Sequence, residues 1–107
     1  MIEEISATDL KRRMDAGEDI QLIDVRQPEE WHFAKIEGAK LIPLGELMNR
    51  LGEIDENRET VFQCKSGMRS ARAVEALQRA GFKGALKNLK GGITAWSNEV
   101  DPKVPKY

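Results

Sequence analysis

The sequence is poor in cysteine and histidine, with one of each among its 107 residues. A single cysteine cannot form a disulfide bond within the chain. One cysteine and one histidine also cannot supply the usual set of ligands of a structural zinc site. The composition therefore argues against a disulfide-stabilised fold and a zinc-binding fold, and we expect no metal.

Long apolar runs and blocks of one charge are missing as well. No run approaches the ~20 residues of a membrane-spanning helix, so no membrane contact is expected. The opening Met1-Ile2-Glu3-Glu4 is acidic and unlike a signal peptide, which makes the cytoplasm the expected compartment. Lysine and arginine total 17 against 18 aspartates and glutamates, a net charge of −1. This balance predicts no nucleic-acid surface, although it leaves a local basic patch open.

What the chain does contain is an alternation of β-rich runs and helical patterns. Its length predicts one domain, residues 1–107. Strands are predicted at 20–25, 40–42, 60–63 and 85–89. Five helices are predicted: one from Ser6 to Gly17, one that begins at Pro28, one over 44–51, one that ends at Gly81, and one that begins at Ile93. The alternation predicts an α/β fold with a mostly parallel central sheet flanked by helices on both faces.

The segment after the first predicted strand carries three side-chain predictions. Trp31 and Phe33 are expected to cover the core from a short helix. Arg26 is expected to pair with Glu30 on the following turn. His32 is expected to be exposed on the same helix rather than to serve as a catalytic base.

Polar residues follow two of the predicted strands. Asp24 and Arg26 end the strand at 20–25, and Cys64 follows the strand at 60–63. Ligands of open α/β sheets bind at the carboxyl ends of strands. We therefore expect Asp24 and Arg26 to lie near Cys64 and to support a site there.

The loop Cys64-Lys65-Ser66-Gly67-Met68-Arg69 joins a strand to a helix and holds the only cysteine. A free cysteine is mostly thiol at neutral pH, with a pKa of roughly 8.5. A helix N-terminus and nearby cations favour the thiolate. Gly67 permits a positive φ, so that successive backbone N–H groups can turn inward as an anion-binding nest. The loop predicts a nucleophilic thiol that carries a charged group.

A structural role for the cysteine is the main alternative. Taken alone, a cysteine after a buried strand is more often a small core residue than a nucleophile. The small and polar residues that follow Cys64 favour the nucleophile, because a packed core position would not lead into such a loop.

The motifs, taken together, resemble a rhodanese-like sulfurtransferase domain over nearly the whole chain. Besides the loop, three stretches carry the resemblance: Asp24-Val25-Arg26-Gln27-Pro28-Glu29-Glu30-Trp31, then Ile36-Glu37-Gly38-Ala39 with Ile42-Pro43-Leu44, and Gly91-Gly92-Ile93-Thr94-Ala95-Trp96. Ala34-Lys35 stands where the family usually has Gly-His, and Glu37 where it usually has proline. These departures shape a turn, so intact chemistry is expected.

The resemblance implies a function for the loop. Cys64 would take sulfane sulfur from thiosulfate or a persulfide donor, such as a protein persulfide, and pass it to a thiol, to cyanide or to a protein acceptor. The N–H groups of Lys65, Ser66, Gly67, Met68 and Arg69 would hold the charged persulfide. The loop has six residues from Cys64 to Arg69, whereas the related cell-cycle phosphatases have seven. The shorter loop favours sulfur transfer over phosphatase or arsenate reductase activity. No cofactor is implied.

The loop and the tail resemble, more narrowly, the C-terminal rhodanese domain of adenylating enzymes of the molybdopterin-synthase and thiamine sulfur-carrier type. This resemblance implies a ubiquitin-like sulfur-carrier protein and its adenylating enzyme as partners. Two other classes stay open at this point: a phosphatase or arsenate reductase, and a non-catalytic interaction module of the same fold.

Overall fold

The computed structural model describes residues 2–107. Their strands are β1 (Glu4–Ile5), β2 (Ile20–Asp24), β3 (Lys40–Leu41), β4 (Glu59–Gln63) and β5 (Leu86–Leu89). The α-helices are α1 (Ala7–Asp15), α2 (Pro28–Phe33), α3 (Met68–Arg79) and α4 (Gly92–Glu99). Two 3₁₀ helices, Leu44–Asn49 and Leu51–Glu53, lie between β3 and β4.

The strands form one sheet in the order β1-β5-β4-β2-β3, and every neighbouring pair is parallel. β4 lies at the centre of the sheet, and Asp24 of β2 pairs with Gln63 of β4. The α/β architecture with a parallel sheet is confirmed. It brings the ends of β2 and β4 side by side, next to Cys64.

Each face of the sheet carries its own hydrophobic cluster because successive side chains of a strand point to opposite faces. Val61 packs on one face with Leu10 of α1 and Trp96 of α4. Phe62 packs on the other face with Val74 and Leu77 of α3. The helices therefore cover both faces, as the alternation of elements predicts.

The local signals at helix ends explain why α1 and α3 begin and end where they do. Ser6 caps α1, since its hydroxyl accepts from the backbone N–H of Asp9 at 3.1 Å. α3 ends in a Schellman-type turn in which the N–H of Phe82 donates to the carbonyl of Leu77 at 3.0 Å. Phe82 then packs back on the cluster that contains Leu77.

Two predictions about elements are wrong. The segment predicted as one helix over 44–51 forms the two 3₁₀ helices instead, with i→i+3 bonds such as Arg50 N–H to Leu47 O at 3.0 Å. Apolar residues three apart suit either helix type, and only Leu47 of the first helix is buried. The other error is the absence of β1 from the predicted strands, because two residues are too few to show a strand period.

Two predictions about the segment after β2 are also wrong. Phe33 does not cover the core; it is 57% exposed, and its ring meets that of Tyr107 edge to face at 5.9 Å. The side chains of Arg26 and Glu30 do not pair, because each has a better partner elsewhere. His32 is exposed, as expected.

Candidate active site

Cys64 follows the central strand β4 directly, and its residue is 1% exposed. Gly67 caps α3 with φ of +105°, a conformation that glycine tolerates far better than other residues. The chain thereby turns sharply between the strand and the helix. The sulfur lies inside this turn, close to the first turn of α3.

Hydrogen bonds converge on the sulfur of Cys64. The backbone N–H of Gly67 donates to Sγ at 3.1 Å, and the hydroxyl of Ser70 lies 3.4 Å from Sγ. Burial raises the pKa of the Cys64 thiol, but the hydrogen bonds to its sulfur, which include those from the backbone of Ser70, Gly67 and Ser66, together lower it by more. The pKa of Cys64 therefore lies below that of an ordinary cysteine.

The start of α4 fixes the direction of the loop's peptide groups. The N–H of Ile93 donates to the carbonyl of Cys64 at 2.8 Å, and the N–H of Thr94 donates to that of Lys65 at 3.1 Å. Gly92 lets the backbones approach this closely, since a Cβ there would overlap both carbonyl oxygens. The carbonyls at the start of the loop thus point away from the sulfur and leave its interior to N–H groups.

Asn88 of β5 holds the loop from the opposite side. Its Nδ2 donates to the carbonyl of Gly67 at 3.0 Å, and its Oδ1 accepts from the hydroxyl of Ser70 at 2.5 Å. Asn88 is 3% exposed. The contact of Asn88 with the loop was not predicted. The signal that could have indicated it is an asparagine beside Leu89 inside a predicted strand, which is an unusual polar residue in a core position.

Arg69 ends the loop but is held by a carboxylate. Its guanidinium forms a bidentate pair with Glu30 of α2, at 2.6 and 2.9 Å. The Arg69 hydrogen bonds lower the pKa of Glu30 to about 2, against the opposing effect of burial. The charge of Cys64 also contributes to raising the pKa of Arg69, so Arg69 and the sulfur interact electrostatically.

Tyr107, in the C-terminal tail, joins the loop to α2. Its hydroxyl donates to Glu30 Oε2 at 2.6 Å, and its ring lies 4.7 Å from the ammonium of Lys65. The other two loop side chains face solvent: Ser66 is exposed, and Met68 is 69% exposed. A residue of the C-terminal tail therefore contacts the loop, which the sequence alone does not indicate.

Asp24 and Arg26 form a completely buried ion pair, with both side chains 0% exposed and Nη2 at 2.6 Å from Oδ2. Arg26 also donates to the carbonyl of Ala34 at 2.7 Å and to the hydroxyl of Tyr107 at 2.9 Å. Burial lowers the pKa of Arg26, but the bonds to Asp24 and Tyr107 more than offset it and raise the pKa. Glu30 contacts Arg26 through its backbone carbonyl, at 3.4 Å, and not through its carboxylate. The pair stands beside β4, one strand from the cysteine.

Other kinds of site find little support in the described part of the chain. Within residues 2–107, no three His, Cys, Asp or Glu side chains are grouped so that they could hold a metal ion. In the same range, no helix has the length and apolar character needed to cross a membrane.

Residues 6–99 match the family model of the Rhodanese-like domain. The chain belongs to the rhodanese family. A rhodanese-like domain protein from Staphylococcus aureus superposes with a TM-score of 0.84 at 30% identity, over 99% of both chains. The resemblance to the rhodanese family is thus confirmed.

Relatives of this rhodanese-like chain include proteins named for sulfur transfer. A sulfurtransferase of Allochromatium vinosum is 36% identical over 104 residues, covering 97% of this chain and 96% of the relative. A probable adenylyltransferase/sulfurtransferase of Mycobacterium tuberculosis is 41% identical over 106 residues, which confirms the narrower resemblance. The match covers 96% of this chain but only 26% of that relative. The family and these names support sulfurtransferase activity in general.

Proposed function

We propose that this protein transfers sulfane sulfur through a persulfide on Cys64. The observation that carries the proposal is the sulfur inside a loop whose N–H groups turn toward it, with Gly67 at 3.1 Å. Such donors stabilise a thiolate, and they equally suit the negative charge of a persulfide. Lys65, Ser66, Gly67, Met68 and Arg69 bind the transferred sulfur, while the buried pair of Asp24 and Arg26 supports the loop from β2.

The reaction proceeds in two steps. The Cys64 thiolate attacks the outer sulfur of the donor, a new S–S bond forms, and the donor's own bond to that sulfur breaks. With thiosulfate the leaving group is sulfite, which departs with the bonding electron pair. A second nucleophile then attacks the outer sulfur of the persulfide and restores the thiolate. One covalent intermediate shared by two half-reactions gives ping-pong kinetics.

The shape of the site favours slender donors. Cys64 is 1% exposed, so little of its surface is open to a reagent. A terminal sulfur atom, such as that of thiosulfate or of a persulfide, suits this access. The chain has no second cysteine, so the persulfide is discharged by another molecule.

A sulfur-carrier protein is the acceptor we propose for the second step. The mycobacterial relative carries adenylyltransferase and sulfurtransferase in one name, and this chain spans about a quarter of its length. An adenylating enzyme activates a carboxylate. On this acceptor the persulfide is the nucleophile: its outer sulfur attacks the adenylated carboxylate, AMP leaves, and an acyl disulfide with Cys64 forms. Two thiols of another molecule then reduce that disulfide, which releases the thiocarboxylate and the Cys64 thiolate, because the chain has no second cysteine. A ubiquitin-like carrier with an adenylated C-terminus, together with its adenylating enzyme, is therefore the proposed partner set.

The length of the loop argues against phosphate chemistry. Six residues from Cys64 to Arg69 leave less room than the seven of the related phosphatases. The guanidinium of Arg69 is already occupied by both oxygens of Glu30. Both features favour sulfur over a phosphate group.

The experiment is an intact-mass measurement after incubation with thiosulfate. We expect the wild-type protein to gain the mass of one sulfur atom and Cys64→Ser to gain none. Arg79→Ala, an exposed change in the last turn of α3, serves as the control and should gain the sulfur. A wild-type mass unchanged by thiosulfate and by glutathione persulfide would refute the proposal. Turnover of an aryl phosphate that is lost in Cys64→Ser would instead support a phosphatase.

A further inference from the structure

The hydroxyl of Ser70 lies between two acceptors. Its Oγ is 2.5 Å from Oδ1 of Asn88 and 3.4 Å from Sγ of Cys64. A serine hydroxyl carries one hydrogen and two lone pairs. At any moment it can therefore donate fully to only one of these two partners.

The contacts of the Asn88 amide fix which of its atoms faces Ser70. Nδ2 has two acceptors, the carbonyl of Gly67 at 3.0 Å and Oε2 of Glu4 at 3.5 Å. In the opposite orientation the amide oxygen would face both of these oxygens, which donate nothing. Oδ1 is therefore the atom beside Ser70, and it is an acceptor only.

The shorter distance indicates where the hydrogen of Ser70 lies. Two oxygens 2.5 Å apart need a hydrogen between them, and Asn88 Oδ1 has none to give. Ser70 therefore donates to Asn88 and turns a lone pair toward the sulfur. That lone pair accepts the S–H hydrogen of a neutral thiol, whereas it gives no stabilisation to a thiolate.

We propose that Asn88 is a positioning residue for the sulfur chemistry, whose side-chain oxygen takes the Ser70 hydrogen and keeps it from the sulfur of Cys64. This inference rests on the proposed function, in which Cys64 is the nucleophile. The backbone N–H groups of the loop then stabilise the thiolate with little help from the hydroxyl.

Such an arrangement suits a thiol that must attack and later leave. The nucleophilicity of a thiolate falls as its pKa falls, and the best attacking thiol has a pKa near the ambient pH. A further donor on the sulfur would increase the thiolate fraction but weaken each thiolate. Asn88 thus prevents the thiolate from being overstabilised in a loop already rich in donors.

The test is the pH profile of Cys64 alkylation by iodoacetamide, which reports Cys64 alone because the chain holds one cysteine. We expect Asn88→Ala to free the Ser70 hydrogen for the sulfur and to lower the Cys64 pKa by about one unit. Ser70→Ala should not raise the pKa, and adding Asn88→Ala to Ser70→Ala should not lower it further. Asn98→Ala, an exposed change on α4, is the control and should leave the profile unchanged.

Three outcomes would overturn the inference. The first is a Cys64 pKa that is unchanged or higher in Asn88→Ala. The second is a shift of the Cys64 pKa by Asn88→Ala that is equal with and without Ser70→Ala, which would mean that Asn88 acts only through the Gly67 carbonyl. The third applies if thermal unfolding shows that Asn88→Ala does not fold. In that case a rise of about one unit in the Cys64 pKa of Ser70→Ala would overturn the inference. Alkylation needs no sulfur donor, so these results are separate from failure of persulfide formation.

Discussion

Replacing Gly92 with alanine places a methyl group against the backbone of the active loop. The added Cβ would overlap the carbonyl oxygens of Cys64 and Lys65, and these are backbone atoms that cannot rotate away. Gly92 also has φ of +60°, which an alanine adopts only with strain. The substitution therefore combines a conformational cost with a displacement of the loop.

The two costs can be separated with a matched glycine. Gly17 has φ of +80°, yet a Cβ there would meet nothing within 4 Å. Gly17→Ala should cost only the left-handed conformation, about 1–2 kcal/mol. Gly92→Ala should cost about 2–5 kcal/mol, because it also breaks the hydrogen bonds from Ile93 and Thr94 to the loop.

Urea unfolding measures the free energy of unfolding of each variant, and the alkylation rate of Cys64 reports on the geometry of its loop. In Gly92→Ala the loop carbonyls move and the N–H of Gly67 turns from the sulfur, so the pKa of Cys64 should rise. Alkylation at neutral pH should then slow by about tenfold, whereas Gly17→Ala should react at the wild-type rate. Equal destabilisation in the two variants, with Cys64 equally reactive in both, would refute the reasoning.

Two further predictions concern ion pairs around the loop. Since the pKa of Glu30 lies near 2 and its ordinary value is 4.5, the bond to Arg69 stabilises the fold above about pH 4.5 and is lost as the pH falls toward 2. Glu30→Gln should therefore cost about 1–2 kcal/mol at pH 7 and almost nothing near pH 2, and a pH-independent difference in urea unfolding would contradict this. Asp24→Asn leaves the buried charge of Arg26 unpaired and should cost about 3–5 kcal/mol in the same assay. Asp9→Asn removes the exposed pair in which Arg12 Nη2 lies 3.2 Å from Asp9 Oδ1, and it should cost less than about 0.5 kcal/mol. Equal costs for the two aspartate changes would contradict the buried-pair argument.

The sequence was sufficient for those elements that have a clear period or cap. β2 and β4 are apolar runs bounded by polar residues, and α1 begins at a serine cap, so each is visible locally. β1 is not visible, because Glu4–Ile5 is too short to show a period and is a strand only through its pairing with β5. The 3₁₀ helices were not predicted, because Leu44, Leu47, Met48 and Leu51 follow the i, i+3, i+4, i+7 spacing of an α-helix.

The same limit explains what was found and missed in the site. Cys64 and Gly67 were identified because the strand, the turn and the glycine are adjacent in sequence. Asn88 lies 24 residues after Cys64 and reaches the loop only through the pairing of β5 with β4. The partner of Arg26 was predicted incorrectly, because the helical spacing favours Glu30, whereas in the fold Arg26 is buried beside Asp24. The roles assigned to the loop residues stay predictions that the alkylation and mass experiments address.

The hydrogen bonds from α4 to the loop have a consequence for the order in which the protein becomes reactive. Cys64 lies upstream of the β5 and α4 residues that hold its loop, since Asn88, Gly92, Ile93 and Thr94 all come later in the chain. During synthesis the cysteine emerges before β5 and α4, so the contacts of Asn88, Ile93 and Thr94 with its loop form only after those elements are made. The geometry that lowers the pKa of the Cys64 thiol is thus a property of the complete sheet, because residues of β5 and α4 hold the loop.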